Sequence, residues 1–167
     1  MPYHAQFGHA DDVMANLTEV VPAIVDPLLQ AKYAGFAAVA AVTVYEMALK
    51  QIVFDFAEAQ NPILGTFSHT RWDRINGRIK LCHIRDDYLR SFGQVYVDKF
   101  NDALAIRGAA YLKLNGHDIE ACYTNLILWR HDFVHKATVA TTATFAEVVM
   151  SYDAGKEVMA CVFEALR

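Results

Sequence analysis

All four prolines of this 167-residue chain stand at or before Pro62. Proline is the strongest helix breaker, because it lacks a backbone N–H and clashes with the carbonyl one turn back. Everything beyond Pro62 is therefore open to long helices. Apolar residues recur there at helical spacing, and strand-like alternation is nearly absent. The pattern predicts an all-α domain, an antiparallel bundle of about five to seven helices joined by short turns.

Helical periodicity runs from Asp11 to about Gln30, with Val13, Leu17, Val20, Val21, Ile24 and Leu28 on one side and a break or kink at Pro22 and Pro27. A long apolar helix is expected from Ala31 to about Gln60, stopped by Asn61-Pro62. Its core, Ala34 to Leu49, is short for a membrane span and carries Glu46, which marks a buried helix of a soluble fold. A third helix is expected from Ser68 to about Cys82. It is followed by Ile84–Ser91, closed by Gly93, and by Gln94–Leu114, ended by Asn115-Gly116. His117 or Asp118 starts the next, which runs through Trp129. A threonine-rich break, ATVATTAT, follows it. Thr144-x-x-Glu147 then has the capping-box pattern and opens a final helix running to Arg167. No low-complexity linker divides the chain. It reads as one domain, with residues 1–30 a helical extension and 31–167 the bundle core.

The formal charge is −4, from 15 basic and 19 acidic side chains, so no global basic field advertises nucleic-acid binding. The three cysteines, Cys82, Cys122 and Cys161, lie far apart and form no CxxC pair. Neither a disulfide framework nor a thiolate zinc site is expected, and a reducing cytoplasm is the simplest setting. The start, MPYHAQFGHADD, lacks a basic region followed by an apolar core, so no secretory signal is expected. Hydrophobic residues make up 54% of the chain, enough to cover a dimer interface as well as a core.

Within this apolar background, residues 129–137 read WRHDFVHKA. Three chemistries fit Arg130, His131, Asp132 and His135. His131 and His135 are spaced i, i+4, which places both rings on one helical face as in zinc-binding H-E-x-x-H sites. The glutamate of that motif is missing, however, and only His83 or His117 from elsewhere offers a third ligand. Alternatively, an imidazole that titrates near neutrality can move a proton at a ribose 2′-hydroxyl, while a guanidinium holds the phosphate. Spacing opposes this within one helix, since five residues separate Arg130 and His135 by ~140° and ~7.5 Å. Convergence needs either a helix that loosens at His135 or a second copy of the chain. The third reading is a polar helix end, with Arg130 in an ion pair and both histidines solvated.

R-x-x-x-x-H near the end of a late helix, with a polar residue after the arginine, resembles the signature of the HEPN superfamily of all-α ribonucleases and RNA-binding domains. The stretch RINGRIKLCHIRDDYLRSFGQVY resembles the middle of the RiboL-PSP-type branch, and FAAVAAVTVYEMALKQIV is similar to the helix that opens HEPN domains. The resemblance spans roughly residues 30–167. It implies a homodimer whose two motifs meet in a composite cleft and cut RNA without a metal or other cofactor, leaving 2′,3′-cyclic phosphate ends. It also implies work as a toxin or phage-defence effector, with an antitoxin or other partner encoded beside it, or a non-catalytic RNA-binding or scaffolding module. Carried over by position, Arg130 stabilises the scissile phosphate and His135 is the acid–base group. His131 takes the polar position after the arginine, and Asp132 has at most a supporting role. Glu46 either reaches the cleft or caps an apolar interface through a hydrogen bond.

Arg71, Arg74, Arg78 and Arg85 fall at i, i+3, i+7 and i+14, one stripe if their helix is continuous. Such a stripe would hold RNA phosphates, and an ordinary amphipathic helix would look the same. Gly77, Asp86 and Asp87 interrupt it.

Overall fold

The structure, a computed structural model, describes residues 2–74, 77–136 and 143–167. Pro2–Phe7 form a 3-10 turn that leads into α1 (Gly8–Val20), and a second 3-10 turn at Val21–Ala23 ends this segment. The expected break is present, since residues 24–26 are not helical, and Pro27 lies on its far side. It occupies the first turn of α2 (Pro27–Gln60), where its missing N–H costs nothing, and the Asp26 carboxylate accepts from Leu28 N–H at 2.9 Å. The long helix therefore starts four residues earlier than the sequence indicates.

Asn61 ends α2 and caps α3 (Pro62–Trp72), its side chain accepting from Ile63 and Leu64 N–H at 2.8 and 3.2 Å. The helix expected over Ser68–Cys82 is not continuous. α3 stops at Trp72, and helix resumes only at Leu81. α4 (residues 81–92) has a π-helical turn at its centre, Ile84–Leu89, and ends at Gly93, whose φ of 134° a side chain rarely allows. Gly116 (φ 76°) closes α5 (Gln94–Asn115). The Asp118 carboxylate accepts from Ala121 N–H at 2.8 Å as α6 (Ile119–Lys136) begins. The expected capping box is present at the start of α7 (Phe145–Leu166). Most of the threonine-rich break lies outside the described residues. Among the described residues there is no strand, and the fold is the expected all-α, HEPN-like bundle.

α2 is the axis of the bundle, packed by α1, α3, α6 and α7. By length and composition it could cross a membrane, but 61% of its most apolar window is buried inside this fold. Ala34, Gly35, Ala37, Ala38, Ala40 and Ala41 give it a small-residue buried face. Deeper in, the Tyr45 ring stacks on Tyr152 of α7 and tilts against Tyr123 of α6, with centroids 5.8 and 5.5 Å apart. A buried phenol needs a partner, and these three find one. Tyr45 donates to the Tyr152 carbonyl, Tyr123 to the Ile79 carbonyl at 2.6 Å, and Tyr152 to the Asp11 carboxylate at 2.8 Å. The N-terminal segment shares this core through Tyr3, Phe7, Ala10 and Met14.

Candidate functional site

Helix α6 presents its apolar stripe to α2 through Ile119, Tyr123 and Leu126, all buried, at i, i+4 and i+7. Continued at the same phase, that stripe passes through Arg130 and Phe133, both half-buried. Arg130 thus takes a register position where helical periodicity calls for an apolar residue. The helices run antiparallel and in step, with Tyr45 against Tyr123 at one end and Gly35 against Phe133 at the other. Interpolated between these contacts, Arg130 is level with Ala38, which is fully buried.

No carboxylate stands on α2 between Asp26 and Glu46, so the surface that α6 meets there has nothing to neutralise a guanidinium. Among the described residues the Arg130 side chain makes no ion pair or hydrogen bond. Arg78, Arg85, Arg90 and Arg107 each have a carboxylate within 3.4 Å. The ion pair expected of a merely structural Arg130 is therefore missing.

His131 and His135 are both exposed on the outer face of α6, ring centroids 4.8 Å apart and tilted by 45°. Asp132 pairs with Lys136 at 2.7 Å, and that hydrogen bond holds its carboxyl below the usual range. Among the described residues no three histidine, cysteine or acidic side chains cluster as metal ligands, so the His131–His135 pair is joined by neither His83 nor His117. The helix does not loosen at His135. It continues to Lys136. Arg130 and His135 of one chain thus stay ~140° apart around the axis.

Glu46 stands elsewhere in the fold's polar network. Its side chain is 17% exposed, accepts from Gly77 N–H at 2.9 Å and pairs with Lys50 at 3.6 Å. Glu46 thereby ties the chain between α3 and α4 to the bundle. Burial, then the nearby charges of Glu46 and Asp87, raises the Tyr88 phenol to about 12.

The single basic stripe does not form, because α3 ends before Arg74 and Arg78. Arg71 lies over the Phe67 and Trp72 rings, 5.9 and 5.7 Å from their centroids. Arg74 is exposed past the end of α3, beside His69, Thr70 and Asp73. Arg78 is engaged by Asp87 at 2.8 Å, and Arg85 by Asn101 and Glu120.

Sequence reasoning missed Gly35. A Cβ there would meet the Phe133 ring, with Cε2 at 2.6 Å, Cγ at 2.7 Å and Cδ2 nearer still, so this glycine seats the motif. Its signal is a glycine inside a run of alanines in a helix interior, where glycine is otherwise unfavourable.

An all-α bundle whose penultimate helix ends in R-x-x-x-x-H, with an unneutralised arginine, has the features of a HEPN domain. The RiboL-PSP-HEPN family model matches residues 11–167, and the chain belongs to that family. The match begins well before residue 30, within the segment that packs into the core. No curated protein and no solved structure matches the chain. Family membership supports an RNA-related function of the HEPN type.

Proposed function

We propose that this protein is a metal-independent endoribonuclease acting as a homodimer, and that it serves as a toxin or phage-defence effector in the cytoplasm. The observation that carries the reading is Arg130, a half-buried guanidinium with no carboxylate beside it, level with the stretch of α2 before Glu46 that holds no acidic residue. A phosphate oxygen is the natural partner for such a fork of donors.

Because α6 stays helical through His135, one chain does not converge its own pair on one phosphate. A second copy turned about a twofold axis brings its Arg130 beside the first copy's His135. Phe36 and Val134, 51% and 47% exposed, each neighbour a residue of the Gly35–Phe133 contact and offer apolar surface for that pairing. In the composite site a neutral His135 takes the 2′-hydroxyl proton as O2′ bonds to phosphorus. The P–O5′ bond breaks, and a protonated imidazole of the second copy supplies the leaving oxygen's proton. Arg130 offsets the charge that builds on the phosphoryl oxygens.

The test is RNA cleavage in EDTA by the purified protein, beside Arg130→Ala and His135→Ala. Each variant should lose about 10²–10³-fold in rate while keeping its helical signal, with cyclic phosphate on the wild-type products. Equal cleavage by all three ends this reading. RNA bound but never cut would favour the scaffold instead.

A further inference from the structure

The His131–His135 face of α6 continues toward the helix N-terminus through Leu128 and Thr124, all four exposed and spaced i, i+4, i+7 and i+11 from Thr124. Alongside Thr124 and Leu128 runs a groove of about 260 Å³, whose other wall is Lys80, Leu81 and Cys82 and whose floor is Ile127. That second wall is fixed. Gly77 N–H is held by Glu46, Arg78 by Asp87 and the Ile79 carbonyl by the Tyr123 hydroxyl, so the chain enters α4 pinned at three successive residues.

We infer that this groove is a nucleobase subsite for single-stranded RNA bound along α6. The inference rests on the nuclease reading above and deepens it. The groove is below the size of a drug-like ligand pocket but takes one flat ring, and its leucine and isoleucine side chains suit a base turned out of a stack. Leu128 is only ~10.5 Å along the helix from His135, so a base seated there belongs to a nucleotide close to the scissile one. Lys80 at the rim has no carboxylate partner among the described residues and meets the phosphate that accompanies the base. A duplex keeps its bases stacked and cannot offer one, so the groove selects unpaired RNA.

Cys82 makes the test direct. It is the exposed thiol in the groove, whereas Cys122 and Cys161 are buried, with thiols pushed up by desolvation. A 2′-O-methyl single-stranded RNA, which lacks the attacking hydroxyl, serves as an uncleavable probe, and N-ethylmaleimide reads out the thiol. At ten times the probe's Kd, alkylation of Cys82 should slow about tenfold, the fraction of protein left free. Duplex RNA should not protect. Protein alkylated beforehand should bind the probe about tenfold more weakly, while Cys82→Ser treated with the same reagent should bind as before. If the probe binds saturably but Cys82 reacts at its unprotected rate, the subsite is wrong and the nuclease reading stands. If the probe does not bind, both fall. Protection that rises with protein concentration alone would mean a second copy covers the groove, and would overturn the subsite.

Discussion

Replacing Gly35 with alanine sets two magnitudes against each other. In a helix interior glycine is about 1 kcal/mol worse than alanine, so on propensity alone the change stabilises. At this position the new methyl would enter the space of the Phe133 ring, and overpacking of that kind costs roughly 1–3 kcal/mol. The expected net is a loss of about 0–2 kcal/mol, too wide a range to be decisive alone. The decisive quantity is the coupling to Phe133. In a Phe133→Ala background the clash is gone, and Gly35→Ala should then stabilise by about 1 kcal/mol. The two effects of the same substitution should therefore differ by roughly 1–3 kcal/mol, a coupling within reach of a double-mutant cycle by urea unfolding. Because Phe133 lies between Arg130 and His135, the single Gly35→Ala variant should also lose RNA cleavage while remaining folded. A coupling energy near zero, or a single variant stabilised by the full propensity gain, would refute the contact and the positioning role built on it.

Two further expectations concern stability and pH. Thr144→Ala should cost about 0.5–2 kcal/mol by removing the cap of α7, read as an earlier urea midpoint. Its hydrogen bonds to Thr144 hold the Glu147 carboxyl below the usual glutamate range. That contribution is whole above the ordinary glutamate value and is lost as pH falls through the depressed one, so the wild type's advantage over Thr144→Ala should shrink on acidification. At the other extreme, burial raises the phenols of Tyr45, Tyr88, Tyr123 and Tyr152. Groups raised in the fold stabilise it fully below their unfolded value near 10 and progressively less above it. Tyrosinate absorbance should thus show these phenols ionising only as the helical signal collapses; titration in the intact fold would contradict their burial.

Much of the bundle was legible because its helix ends are written in local chemistry. Asn61, Gly93, Gly116 and Thr144 each mark a boundary through a cap or a positive φ that acts within a few residues. The start of α2 was misread although Asp26 and Pro27 mark it locally, whereas the misread end of α3 has a nonlocal cause. Ile75 and Ile79 prolong the periodicity of α3, but Ile79 and Gly77 are drawn onto α6 and α2 by Tyr123 and Glu46, 44 and 31 residues away in sequence. The π-helical turn in α4 leaves no trace in spacing that a short helix would not leave. At the site, Arg130 and His135 stood out as polar residues in an apolar run, but the missing counter-ion emerged only once α6 was set in register against α2.

The alanine face of α2 has one more consequence. Where side chains are a single methyl or none, there is no long side chain to swing aside and absorb a change. This buried face therefore acts on the motif as a template does on a casting: it never touches the scissile bond, yet an atom added at Gly35 meets the Phe133 ring and is transmitted to the direction in which Arg130 points.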